Sequence, residues 1–319
     1  MGDFQLYKYT PTMAGAIIFG ATFIVLLGYN IFIIFQSLSK VNLQTRGSRP
    51  YNKNNESSLS LSQNNVWRFK KQVLPMFIPL MVGVLMEAVG YFARTPSHGN
   101  KQLLTPYIIQ SILLLIAPSF IAATIYMVFG RMMRLLNASD YSIIKFKYQT
   151  TFFVVGDVFS FFVQSAGGGM MSQSGNQDLG PKIVIAGLII QMIFLFFFIF
   201  SEIKFTYLIN KMPTTASYGN IKTSTMNLAP TDWKILNSTL IITSILIFAR
   251  CVVRVVEFAQ GFNGFIISHE AFIYLLDGLL MIIVSFLLLR VRPELVMFEL
   301  MNQEYLEEAS YNVLSSLQA

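Results

Sequence analysis

Apolar runs of about twenty residues recur seven times along the chain, at about 12–36, 73–95, 104–129, 148–167, 182–208, 236–258 and 270–291. Each is long enough to cross a hydrocarbon core of about 30 Å as a helix. The pattern predicts an all-α polytopic membrane protein with seven transmembrane helices. The fourth run is the most interrupted: Asp157 and Gln164 lie inside it, and Gly167, Gly168 and Gly169 are expected to end it, because glycine readily leaves helical geometry. Pro75 and Pro79 in the second run and Pro106 and Pro118 in the third suit local kinks, which serve equally as hinges or as packing devices.

Six ionisable residues break the apolar pattern from within: Glu87, Asp157, Arg250, Arg254, Glu257 and Asp277. A charge at the centre of a bilayer costs about 2.5 to 3.5 kcal/mol on insertion scales, so these side chains must face one another, water or a ligand. Their spacing supports this, since seven helical residues return to within about 20° of the start. The second helix carries Glu87, Gly90, Tyr91 and Arg94 on one face, and the fourth carries Asp157, Ser160 and Gln164. The sixth carries Arg250, Arg254 and Glu257, and the seventh repeats that spacing with Glu270, Tyr274 and Asp277. Four helices would thus present polar stripes to one common cavity in the outer half of the membrane, with Asp157 near its midplane. Its excess of carboxylates over guanidinium groups favours cationic or zwitterionic guests. The same residues could instead be fixed structural pairs, Arg254 with Asp277 and Arg250 with Glu87, and Ser160 and Gln164 could be interhelical hydrogen-bond partners.

Composition agrees with the membrane class: 54% hydrophobic, 12% charged and a mean hydropathy of +0.56. The distribution of basic residues sets the orientation. With the amino terminus outside and the carboxyl terminus cytoplasmic, 17 of the 23 Lys and Arg fall in cytoplasmic segments and four outside, while Arg250 and Arg254 lie in the sixth helix. The pI of about 9.4 is therefore a topology signal, and nucleic acid is not an expected partner. Residues 1–11 then form an extracellular amino terminus and 12–291 the membrane domain, with a cytoplasmic loop at about 40–65 rich in Asn, Ser, Lys and Arg that reads as disordered. The segment 292–319 reads as a cytoplasmic tail beginning with a short surface helix. The first apolar run lacks a basic leader and a cleavage pattern, so it is expected to be retained. Sequons at Asn55, Asn137 and Asn237 fall on cytoplasmic segments and are expected to carry no glycan.

Several chemistries find no support. Cys251 is the single cysteine, so an intramolecular disulfide and a cysteine zinc cluster are both out of reach. The chain has no glycine-rich phosphate loop with a lysine, and its two histidines, His98 and His269, lie near the outer surface, away from any zinc-hydrolase arrangement. The seventh helix holds Asp277 where a retinal protein needs a lysine. No enzyme, catalytic residue, cofactor or metal site is expected.

The stretch Arg250-Cys-Val-Val-Arg254-Val-Val-Glu257, followed by Gly261, Gly264, His269-Glu270 and Tyr274-x-x-Asp277, resembles the signature of the fungal RTA-like proteins, the lipid-translocating exporter family. Tyr9-x-Pro11, Glu87-Ala-Val-Gly90-Tyr91-x-x-Arg94, and Asp157 to Gln164 with the glycines after it carry the resemblance further, over about residues 7 to 292. Two features depart from the family picture: the long Ser/Asn loop after the first helix, and Arg292-Pro293 where His-Pro is expected. The resemblance implies a fungal seven-helix protein, most often of the plasma membrane, linked to resistance to toxic lipids or drugs. Its members are associated with release of sphingoid bases, resistance to an aminosterol, and porphyrin or haem traffic. The leading expectation is an exporter of amphiphilic amines, with an amphiphilic lipid or drug as partner alongside the membrane lipids. A lipid-stress sensor and a porphyrin transporter remain alternatives. The candidate cavity residues are Glu87, Tyr91, Arg94, Asp157, Gln164, Arg250, Arg254, Glu257, Glu270, Tyr274 and Asp277.

Overall fold

A computed structural model of the protein describes residues 12–47, 67–98, 104–141, 146–171, 179–214, 232–260 and 272–303. All regular structure among the described residues is helical, and seven helices are long and apolar enough to cross a membrane. Their main α-helical segments are α1 (Met13–Gly47), α2 (Ile78–Ala93), α3 (Leu104–Leu135), α4 (Phe146–Met171), α5 (Leu179–Lys211), α6 (Trp233–Gln260) and α7 (Leu280–Val291), and the second and seventh spans run on as longer helical stretches over Trp67–Ala93 and Tyr274–Gln303. Pro75 opens the approach to α2 into a 3-10 segment, Leu74–Phe77, and Pro79 occupies the first turn of α2, where its missing N–H costs no intrahelical bond. Pro118 stays inside α3.

The helices pack as a closed ring: α1 on α2, α2 on α3, α3 on α4, α4 on α5, α5 on α6, α6 on α7 and α7 back on α1, with α3 also touching α6 across the middle. This makes α3 the central helix. Buried residues make up 61% of its most apolar stretch, against 28% for α1, which leaves Ile18, Val25, Phe32 and Phe35 on the outer surface. Outward apolar residues are what a lipid-facing helix requires, so association rests on close packing rather than on escape from water. One packing centre is aromatic: Tyr126 and Phe129 of α3, Phe153 of α4, and Phe198 and Phe205 of α5 interlock, with centroid separations such as 4.3 Å for Tyr126–Phe198.

Two expectations about helix ends are corrected. The glycines at 167–169 do not terminate α4, which continues to Met171. Gly167 instead lets α4 approach α5, since a Cβ there would lie 2.8 Å from the Gly180 carbonyl oxygen and from the Val184 nitrogen. Gly187 does the same from the other side, where a Cβ would lie 3.0 Å from the Ser160 carbonyl oxygen. The segment after α7 is not a surface helix either. Arg292 turns the chain in a left-handed conformation (φ 53°), and residues 293–303 resume a helix in which Leu295, Val296, Met297, Phe298, Leu300 and Met301 are buried. A non-glycine residue in that region costs roughly 1–3 kcal/mol, and a network offsets it. Arg292 donates to Ser37 Oγ of α1 at 2.9 Å and pairs with Glu294 at 3.3 Å, while Ser37 donates to Glu294 at 2.9 Å. The Arg292-Pro293 departure noted in the sequence is thus the corner of a lock between α1 and the end of α7. The Ser/Asn loop, Glu270 and the tail beyond 303 lie outside the described residues.

Gly167→Val is expected to lower the melting temperature in detergent, by the about 1–3 kcal/mol typical of overpacking. Gly168→Ala, whose added carbon meets nothing within 4 Å, is expected to leave it unchanged. Equal melting temperatures for both variants would contradict the close α4–α5 contact.

Candidate functional site

The polar stripes of α2, α6 and the start of the seventh span converge as the sequence predicts. Their centre is Asp277, which lies in a π-helical stretch, Ile273–Leu279, immediately before α7. Wide π turns are common where a helix aims a functional side chain. One carboxylate oxygen of Asp277 accepts from Arg254, and the other forms an ion pair with Arg250 Nε that is not aligned as a hydrogen bond. Arg250 also donates to the Leu114 carbonyl of α3, and Arg254 holds Glu257 one turn further along at 3.0 Å. Two guanidinium groups therefore close on one carboxylate, tying α3, α6 and α7 together.

Glu87 completes the cluster from α2. It is fully buried, lies within electrostatic reach of Arg250, Arg254 and Asp277, and has no hydrogen bond to either oxygen. The alternative pairing of Arg250 with Glu87 is therefore not formed, because Arg250 is turned to Asp277 and Leu114. Beside the cluster, Tyr91 stacks with Phe23, and Tyr274 with Phe19 at 4.9 Å, while the Arg94 guanidinium sits 5.6 Å from the Tyr274 ring centre. Glycine at 278 makes room for this packing: an added Cβ would stand 2.5 Å from the Tyr91 hydroxyl. The space left inside the cluster is about 10 Å³, room for one water at most. Among the described residues the four stripes do not line one large cavity.

The α4 stripe goes elsewhere, because α4 packs on α3 and α5 and α3 stands between it and the arginines. Ser160 donates to its own helix at Gly156, and Gln164 donates to Gln191 of α5 at 2.9 Å, which donates to Ser119 of α3 at 3.0 Å. Gln164 is thus an interhelical partner. Asp157 instead borders a cavity of about 370 Å³ between α2, α3 and α4, whose walls include Met86, Ile116, Phe120 and Phe161. Val158 and Phe162 at its rim are 47% and 65% exposed, so the cavity adjoins the lipid-facing surface. Asp157 is buried and neither of its oxygens is hydrogen-bonded. The Tyr126 hydroxyl is close enough to serve as donor but falls outside strict hydrogen-bond geometry.

Sequence reasoning passed over Glu202. It is fully buried in α5, with no hydrogen bond to either oxygen and with Ser244 of α6 facing it. The signal was available: Gln191, Leu195, Phe198, Glu202, Phe205 and Ile209 recur at alternating four- and three-residue steps, the buried stripe of α5. Around it Gln149 donates to Ser201 and Asn237 to Thr206, the latter at 2.7 Å, which buries one of the three sequons inside the bundle. Among the described residues no group of three or more His, Cys, Asp or Glu side chains could hold a metal ion.

The comparison with known proteins rests on the same helices. Residues 80–299 match the family described as RTA1 like protein. The chain belongs to that family. It is 42% identical over 288 residues to Protoporphyrin uptake protein 1 of Saccharomyces cerevisiae, covering 89% of this chain and 91% of the relative. It is 37% identical over 301 residues to Protein RTA1 of the same species, covering 93% and 87%. It is 28% identical over 229 residues to the Sphingoid long-chain base transporter RSB1 of Saccharomyces cerevisiae, covering 63% and 59%. No solved structure matches the chain. The protein is accordingly an integral membrane member of the RTA1-like family, and the resemblance drawn from the α2, α4 and α6 motifs is confirmed.

Removing Asp277 leaves two buried guanidinium groups without their shared anion, which typically costs about 3–5 kcal/mol. Asp277→Asn and Arg254→Ala are each expected to lower folded protein in membranes severalfold, as read by quantitative immunoblot and size-exclusion profile. Glu87→Gln, at a carboxyl that makes no hydrogen bond, is expected to stay near wild type. Normal abundance of both ion-pair variants would contradict a structural clamp.

Proposed function

We propose that the protein translocates amphiphilic lipids bearing a cationic amine, of the sphingoid-base type, across the plasma membrane, and in doing so protects cells from toxic lipids and drugs. The observation that carries this reading is the cavity between α2, α3 and α4: apolar walls, a lipid-facing rim, and one buried carboxylate, Asp157, with no cation against it among the described residues. An alkyl chain gains about 0.8 kcal/mol for each buried CH₂ moved out of water, and the carboxylate supplies the counter-charge that an ammonium group needs once desolvated. Access from the side lets a lipid enter tail and headgroup together, without full exposure to water. Arg250 and Arg254 play no part in binding here. They are engaged by Asp277, which leaves α3 and α6 fixed while α2 and α4 border the site.

A second reading is supported by the 42% identity to a protoporphyrin uptake protein. A tetrapyrrole carries propionates in place of an amine, so it would have to draw a guanidinium group away from Asp277, opening the clamp. The two substrates thus call on different charges of the same bundle.

Purified protein in liposomes discriminates them. Labelled sphingosine is expected to move between leaflets faster than in empty vesicles, and Asp157→Asn is expected to slow that movement at least tenfold at unchanged protein abundance. Movement of protoporphyrin that ignores Asp157→Asn and fails in Arg254→Lys would favour the second reading. If wild-type protein moves neither compound, direct transport is wrong.

A further inference from the structure

Among the described residues, two side chains bearing oxygen or nitrogen line the cavity between α2, α3 and α4: the Asp157 carboxylate of α4 and the Ser119 hydroxyl of α3. The register of the two helices brings them close. They pack antiparallel, with Tyr126 against Phe153 at 5.5 Å between ring centres and with Gly130 against Thr150, where an added Cβ would lie 2.9 Å from Thr150 Oγ1. Counting back along α3 and forward along α4 from these contacts leaves Ser119 and Asp157 about one helical turn apart, roughly 5 Å of rise. One small headgroup can reach both.

A serine or threonine inside a helix commonly turns its O–H to the carbonyl one turn back. Ser160 does so to Gly156 at 2.7 Å, Thr206 to Glu202 at 2.8 Å and Thr243 to Thr239 at 2.9 Å. Ser119 does not. Its oxygen accepts from the Gln191 amide at 3.0 Å, and the Gln191 carbonyl accepts from Gln164 at 2.9 Å. Among the described residues the Ser119 O–H proton reaches no protein acceptor. Gln164 and Gln191 are 3% and 5% exposed, whereas Ser119 is half-buried, so this polar chain starts inside the α4–α5 contact and ends at the cavity wall. The same level of α3 is fixed from the opposite side: Pro118 has no N–H for the Leu114 carbonyl four residues back, and Arg250 occupies that carbonyl instead. Ser119 is therefore a hydroxyl held in place with one donor left for a guest.

We propose that Ser119 is a specificity-determining residue of the cavity, selecting among amphiphilic amines those with a hydroxyl on the carbon next to the amine-bearing carbon. The inference rests on the proposed amine transport, in which Asp157 supplies the counter-charge. The ammonium group of such a guest donates to one Asp157 oxygen, while its hydroxyl donates to the other and accepts from Ser119. Each polar group of the wall then has a partner. A plain alkylamine neutralises Asp157 but leaves the Ser119 O–H without an acceptor, and an unmet donor away from water counts against binding. A site built to bond a hydroxyl rejects the analogue lacking it far more strongly than an apolar pocket rejects a missing methylene. Gln191 and Gln164 are positioning residues: they engage the Ser119 oxygen from behind and do not touch the guest.

The test compares two amphiphiles of equal chain length: sphinganine, whose amine carbon is flanked by hydroxyl-bearing carbons, and octadecylamine, which has no hydroxyl. Each competes with radiolabelled sphinganine for the purified full-length protein in nanodiscs. The readout is the ratio of the two affinities on one preparation, which does not depend on the fraction of folded protein. Wild type is expected to favour sphinganine by about tenfold or more. Ser119→Ala is expected to bring the ratio close to one, Ser119→Thr, which keeps the hydroxyl, to hold it near wild type, and Gln191→Leu to lower it partway. A ratio near one in wild type, an unchanged ratio in Ser119→Ala, or a preference lost equally in Ser119→Thr would overturn the role of Ser119. The amine reading survives that result if Asp157→Asn weakens both competitors. If Asp157→Asn leaves both intact while Ser119→Ala abolishes the preference, the hydroxyl contact is retained and the ammonium counter-charge is rejected. Absence of displacement by either compound in wild type rejects both.

Discussion

Two arginines closing on Asp277 are the constraint on which the remaining architecture depends. Uncompensated, each of these charges would cost several kcal/mol in a hydrocarbon environment, and together they would prevent the bundle from assembling. Compensated, they bind α6 to the π-helical start of the seventh span and, through the Leu114 carbonyl, both to the central helix α3. The π turn matters here because it allows one carboxylate to meet two guanidinium groups four residues apart on α6. Arg254 extends the cluster to Glu257, and Glu87 approaches from α2, so four helices share one electrostatic centre.

With that centre closed, the space for a guest lies on the other side of α3. The ion cluster has room for a water, and the cavity at Asp157 has room for an alkyl chain. The division of labour is physical: a saturated set of charges makes a rigid joint, and a lone acid in an apolar wall makes a place where charge is still wanted. Glycines support both, Gly278 by admitting Tyr91 to the cluster and Gly167 and Gly187 by drawing α4 and α5 together behind the cavity.

Much of this was legible in the sequence, for reasons that can be named. Hydrophobic length gave seven spans because a bilayer has a fixed thickness, and seven-residue spacing put Glu87 with Tyr91 and Arg94, and Arg250 with Arg254 and Glu257, on single faces. Spacing along one helix does not say which neighbour that face meets. The α4 stripe was therefore placed in the common cavity, when α3 in fact separates Asp157 and Gln164 from the arginines. Gly167 to Gly169 fitted a helix end as well as a close contact, and only the partner helix decides between them. Glu202 escaped notice because a charge near the end of a span reads as interfacial, although its register with Phe198 and Phe205 pointed inward. The left-handed turn at Arg292 has no local signature, since it depends on Ser37, which lies 255 residues away in sequence.

The claim that binding and clamping occupy opposite sides of α3 is tested most directly by mapping where a lipid touches the protein. A sphingosine carrying a photoreactive group near its amine, cross-linked in membranes and located by peptide mass spectrometry, is predicted to label Met86, Phe120 or Phe161 beside Asp157. Labelling confined to Val253, Phe272 or Leu276, around the arginine cluster, would contradict the account.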